Sequence, residues 1–180
     1  MTASHSPSSD HALPDWADRA TVDGTAADWL MTTRLMTDDI RRSVVQTVRI
    51  RVLSAKTVTL PATVTAMLPS AEHDGWLREI EIRSDEQVFV HAYCFVPATT
   101  LTAQPWLMTL GEQPLGAELA KRPAERRAAM QFQPSSATAS PFASTVGAWA
   151  RRSVFDIDAQ PLLLIEHMTS HLLDIPRRID

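Results

Sequence analysis

The chain has 180 residues, 44% hydrophobic and 21% charged, with a formal net charge of −4. That fits one globular domain with a substantial core and argues against a broad nucleic-acid-binding surface. The single cysteine, Cys94, excludes an internal disulfide. With no apolar run long enough to span a bilayer and no signal-peptide core, a cytoplasmic protein without membrane insertion is expected.

Residues 1–24 are rich in Ser, Asp, Pro, Thr and Ala and are expected to form a loose arm, with residues 25–180 as the domain. A helical pattern covers Ala26 to Thr33, with Trp29 and Leu30 as its core contacts. Thr37-Asp38-Asp39 supplies N-cap chemistry for a second short helix to about Ser43. Val44 to Val52 alternates, placing Val44, Val48, Ile50 and Val52 opposite Arg49 and Arg51, as in a half-buried strand. Trp76 to Arg83 and Gln87 to Val96 read as a hairpin around Ser84-Asp85-Glu86, closed off by Pro97. Pro105 to Leu110 and Leu115 to Lys121 read as short helices, and Gln133 to Ser144 as a long surface loop. A last hairpin joins Gly147–Ile157 to Pro161–Met168. Hairpins with helices between them predict an α+β fold: a single domain on an antiparallel β-sheet.

Two charges stand where these strands should be apolar. Alternation puts Arg78 on the face of Trp76, Ile80 and Ile82, and Glu166 on the face of Leu162 and Leu164. A buried charge must meet a counter-charge, other polar groups or a ligand. A pocket for a polar anion would explain both residues, and so would a scaffolding ion pair. Arg151, on the face of Trp149, Phe155 and Ile157, has the same two readings, whereas Arg152 points the other way.

Other chemistry finds little support. His167 and His171 are four apart but fall largely on a strand, and no Cys or carboxylate cluster accompanies them, so no metal site is expected. Ser153 lacks a Gly-x-Ser-x-Gly setting, and the five glycines form no phosphate loop. Cys94 lies on the Val88, Val90 and Val96 face and reads as a core residue.

Taken in order, Asp28-Trp29-Leu30, Met36-Thr37, Trp76-Leu77-Arg78-Glu79-Ile80, Val96-Pro97, Leu110-Gly111, Pro114-Leu115-Gly116, Trp149-Ala150-Arg151-Arg152-Ser153 and Pro161-Leu162-Leu163-Leu164-Ile165-Glu166 resemble the chorismate pyruvate-lyase family. These enzymes make 4-hydroxybenzoate for ubiquinone. The resemblance implies a monomeric α+β protein whose antiparallel sheet and flap-like segments enclose a ligand cavity. No metal or organic cofactor is implied. Its implied partners are chorismate and 4-hydroxybenzoate. It assigns Arg78 to the ring carboxylate and Glu166 to the ring hydroxyl, with main-chain contacts from Met36 and Leu115. Arg151 is a weaker candidate for the enolpyruvyl carboxylate.

The chain departs from the family pattern where relatives have Trp-Gly-Arg-Arg-Ser, since Ala150 adds a methyl. The Gln133–Ser144 loop and the residues after Glu166 also look extended. The alternative is a non-catalytic sensor or binding module of the same fold. Such sensors follow a DNA-binding domain, and the stretch before Ala26 is expected to be too short and insufficiently basic for one.

Overall fold

The structure is a computed structural model, described here for residues 16–18, 24–68, 72–126, 129–134 and 148–179. Most of the expected arm and residues 135–144 of the expected loop lie outside these. Helix α1 (Gly24–Leu30) and helix α2 (Met36–Ser43) precede strand β1 (Arg49–Thr59) and the short helix α3 (Ala62–Thr65). The hairpin β2 (Asp74–Arg83) and β3 (Val88–Pro97) leads into α4 (Ala98–Ala103), a 3₁₀ helix (Pro105–Thr109) and α5 (Leu115–Leu119). Strands β4 (Ala124–Arg126), β5 (Gln131–Pro134), β6 (Trp149–Ile157) and β7 (Gln160–Met168) follow, then α6 (Ser170–Leu173). The seven strands form one antiparallel sheet in the order β1-β2-β3-β7-β6-β4, with β5 also on β6.

Partner strands decide where each strand begins. Residues 44–48 alternate as a strand should, yet β1 starts at Arg49, which pairs with Arg83, the last residue of β2. Among the described residues, residues 45–48 pair with no strand, and Val45 is exposed. At the other end β1 runs to Thr59, opposite Asp74. The register shifts between Val52 and Ser54, and this bulge changes which face the strand presents. Ile50 belongs to the apolar cluster under α1 and α2, whereas Val58 packs with Leu60 and Tyr93 on the opposite face. The interrupted alternation is why sequence periodicity ends at Val52.

Helix α2 is capped differently from the expectation. Leu35 occupies the N-cap without a side-chain bond, and Thr37, Asp38 and Asp39 lie inside the first turn. There the two carboxylates face the positive end of the helix. Asp39 is fully buried and gathers Arg34, Arg42 and Arg177 at 3.3, 3.0 and 3.0 Å, tying the C-terminal segment to α2. Trp16–Asp18, within the expected loose arm, pairs with β5 through reciprocal 2.8 Å bonds between Ala17 and Phe132. Gln133 and Pro134 belong to β5 rather than to a surface loop.

Two apolar clusters share one face of the sheet. One gathers Trp29, Leu30, Ile40, Ile50, Ile80 and Ile82 beneath α1 and α2. The other gathers Trp76, Val96, Leu107, Leu115, Leu119 and Leu162 beneath the 3₁₀ helix and α5. The opposite face packs Leu77, Tyr93, Phe95 and Leu163 against α3. Gly75 permits the tight approach of β2 and β3, because a Cβ there would lie 2.5 Å from the Val96 carbonyl.

Candidate active site

Between the two apolar clusters lies a cavity of about 250 Å³. That is just under the roughly 300–1,000 Å³ usual for small-molecule pockets, the scale of a one-ring ligand. Met36, Arg78, Leu115, Arg151 and Glu166, the five residues that the family resemblance ties to the ligand, all line it, whereas Arg152, His167 and His171 do not. The floor is sheet: Ile80 and Ile82 from β2, Ala92 and Cys94 from β3, Ser153 and Phe155 from β6, Leu164 from β7. The cover comes from residues 33–38, at the start of α2, and from residues 114–120, around α5.

Arg78 is 3% exposed and sits on β2, an inner strand, opposite Cys94. Its Nη2 donates to the carbonyls of Gly111 and Gln113 at 2.8 and 2.9 Å, holding the segment that leads into α5. Its Nε is buried and has no partner. Among the described residues no carboxylate pairs with this guanidinium. Burial pushes its pKa down, partly offset by Cys94. A desolvated cation with a spare N–H is a ready binding site for a carboxylate.

Glu166 meets a different arginine. Arg151, its register partner across β6 and β7, donates from Nε to Glu166 Oε2 at 2.6 Å. Arg151 Nη1 also donates to the carbonyls of Leu30 and Thr32, at 3.2 and 2.8 Å. Arg151 therefore fastens the end of α1 and the Glu166 carboxylate together with three of its five N–H groups, and its charge is offset by Glu166. Glu166 Oε1 has no hydrogen bond among the described residues and is the carboxylate oxygen left to the cavity.

Arg78 and Glu166 stand two strands apart. Arg78 pairs with Cys94, Cys94 with Leu164, and Glu166 is one same-face step beyond Leu164. Ideal sheet spacings put their Cα atoms about 12 Å apart, leaving room for a ring between two long side chains. Cys94 lies in the cavity wall, but burial pushes its thiol up to about 12, against a smaller opposing effect of Arg78. It stays protonated at neutral pH and is a poor nucleophile. Among the described residues no cluster of His, Cys, Asp or Glu could hold a metal ion, and no helix is long and apolar enough to cross a membrane.

Sequence reasoning missed Arg126. It stands on β4 opposite Phe155, lines the same cavity and leaves its Nε buried without a partner. The local sequence Arg122-Pro123-Ala124-Glu125-Arg126-Arg127 reads as a solvated charged stretch, and three residues are too few for alternation to show. Ala150 is fully buried on the face away from the cavity, where β6 accommodates its methyl between Gln133 and His167.

A mainly apolar cavity set with a few buried charges, roofed by short helices on an antiparallel sheet, defines a small-molecule-binding α+β domain. Residues 14–176 match the family model described as Chorismate lyase, and the chain belongs to the chorismate lyase family. It is similar to the "Probable chorismate pyruvate-lyase" of Photobacterium profundum, 36% identical over 94 residues, covering 52% of this chain and 49% of that protein. The protein of the same name from Methylococcus capsulatus is 34% identical over 109 residues, covering 56% and 66%. The matched stretches thus span 49% and 66% of these relatives' lengths. In fold, the chain is similar to the C-terminal domain of the histidine utilization repressor from Pseudomonas syringae pv. tomato str. DC3000. That likeness has a TM-score of 0.52 at 12% identity, over 74% of this chain and 96% of that one. The "possible transcriptional regulator YydK" from Bacillus subtilis subsp. subtilis str. 168 also has a TM-score of 0.52, at 8% identity, over 83% and 67%. At these identities the likeness speaks for the fold alone.

Proposed function

We propose that this protein is a chorismate pyruvate-lyase, a cytoplasmic enzyme that converts chorismate to 4-hydroxybenzoate and pyruvate as the first step toward ubiquinone. The observation that carries the reading is Arg78, buried in the cavity with a spare Nε–H and no carboxylate partner among the described residues. Membership of the chorismate lyase family supports it.

Chorismate carries a ring carboxylate at C1, a hydroxyl at C4 and an enolpyruvyl ether at C3. In the reaction the C4–H and C3–O bonds break, the ring becomes aromatic, and the departing enolpyruvate takes up a proton to become pyruvate. Aromatisation makes the step downhill, so the protein has to hold a reactive conformer, exclude water and stabilise the departing enolate. Arg78 anchors the C1 carboxylate. Glu166 accepts the C4 hydroxyl through Oε1, while Arg151 holds Oε2 and so fixes the direction of approach. Met36 and Leu115 belong to the two segments that cover the cavity, so the movement of those segments governs how fast product leaves.

The test is to incubate purified protein with chorismate and quantify pyruvate and 4-hydroxybenzoate together. Equimolar appearance of both, lost in Arg78→Ala, is expected. Tight binding of 4-hydroxybenzoate without turnover would replace the lyase reading with that of a sensor. Neither turnover nor binding would overturn both readings.

A further inference from the structure

The charges around the cavity do not cancel evenly. Six charged side chains line it: Arg34, Asp38, Arg78, Arg126, Arg151 and Glu166. Arg34 pairs with Asp39 at 3.3 Å, Asp38 with Arg41 at 3.4 Å, and Arg151 with Glu166 at 2.6 Å. Two guanidinium groups remain without a carboxylate among the described residues, Arg78 and Arg126, and each keeps a buried Nε with no partner. Two spare cations in one small cavity suit a ligand with two anionic groups.

We propose that Arg126 is the binding residue for the second carboxylate of the substrate, the one on the enolpyruvyl group at C3. This rests on the lyase reading of the site. C3 adjoins C4, so a substrate whose C1 carboxylate lies on Arg78 and whose C4 hydroxyl lies on Glu166 places its side chain at the Glu166 end. Arg126 belongs to that end. In the sheet β4 lies two strands from β7, which carries Glu166, and four from β2, which carries Arg78. Burial lowers the Arg126 pKa first, then the Arg151 cation lowers it and the Glu166 carboxylate raises it. The Arg126 guanidinium carbon stands 5.3 Å from the centre of the Phe155 ring, itself part of the cavity wall, so an aromatic face steadies the side chain. Arg151 is less suited to this part because its charge is already offset by Glu166 at 2.6 Å and three of its five N–H groups serve Glu166, Leu30 and Thr32.

Calorimetric titration of wild type and Arg126→Met separates the two carboxylates. The methionine keeps an apolar stem on Phe155 and removes the charge. The probes are 4-hydroxybenzoate, a monoanion, and 3-(carboxymethoxy)-4-hydroxybenzoate, a dianion that cannot eliminate. Wild type should prefer the dianion by about tenfold or more, as a charge-assisted pair in a desolvated site allows. Arg126→Met should lose that preference, hold 4-hydroxybenzoate within about twofold, and lower kcat/KM for chorismate by about 10- to 100-fold. No dianion preference in wild type, or full preference in Arg126→Met, overturns the assignment. If wild type leaves chorismate unchanged but shows an Arg126-dependent preference, the assignment stands and the lyase reading falls. If Arg126→Met turns chorismate over at the wild-type rate, the lyase reading stands and the assignment falls.

Discussion

Arg78 and Glu166 look alike in sequence, each a single charge on an apolar strand face, yet their surroundings differ. Arg78 is desolvated and unpaired by any carboxylate among the described residues, so its removal acts on ligand binding. Arg78→Ala should cost about 2–5 kcal/mol of transition-state binding, read as a fall in kcat/KM, and near-normal activity would remove Arg78 from the site. Part of that loss should come from the segment at Gly111 and Gln113, which Arg78 also holds. Glu166 belongs to a buried ion pair with Arg151, and here truncation acts on the fold as well. Glu166→Ala strands the Arg151 cation and should destabilise the protein by about 3–5 kcal/mol in urea unfolding. Replacing both charges, Arg151→Met with Glu166→Leu, should recover most of that stability and none of the activity. If the double variant stays as unstable as the single one, the pair is not what sets the cost.

At the scale of elements, turns and close approaches decide what can change. The β6–β7 hairpin turns on Asp158 and Ala159, both at positive φ, 52° and 62°. A left-handed alanine carries a steric cost that glycine avoids. Ala159→Gly should therefore raise stability by about 0.5–1 kcal/mol, and a lowered thermal midpoint would count against the strained turn. The two covering segments meet where a Cβ on Gly116 would lie 3.2 Å from Leu35 Cδ2. Gly116→Ala should cost about 1 kcal/mol or less, since Leu35 can turn aside, but it wedges the cover open. Stopped-flow measurement should then show faster release of 4-hydroxybenzoate. Such contacts are illegible in a single sequence, whereas strands β2, β3, β6 and β7 were legible as largely apolar runs set between turns, with alternation assigning each residue to a face; β3 is buried on both faces from Phe89 to Pro97. The inward directions of Arg78, Arg151 and Glu166 followed from the same alternation. Helices α3, α4 and α6 have only four to six residues, too few for periodicity to register. Arg126 escaped because its partner strand lies about thirty residues further along the chain.

Taken whole, the sheet separates the cavity on one face from a buried aromatic and histidine layer on the other. On that second face His91 stacks on Tyr93 with ring centres 5.0 Å apart, and His167 meets Tyr93 edge-on at 5.8 Å. His91 also bonds Glu79 at 2.8 Å. His167 pairs across the sheet with His91 on β3 and with Ala150 on β6. Burial, and then the neighbouring His91, push the His167 pKa from 6.5 down to about 4. Folding thus requires a neutral imidazole where the unfolded chain prefers a protonated one below pH 6.5. The unfolded state binds the extra proton, so stability falls as pH drops from about 6.5 to about 4 and is unaffected by this group above that window. Over the full window the loss should be on the order of 3 kcal/mol. Urea unfolding followed at steps of pH would show the midpoint declining across this range. In His167→Gln, which cannot charge, the decline should flatten while the slope from carboxylates at lower pH remains. An unchanged pH profile in that variant would mean that acid sensitivity is seated elsewhere in the molecule.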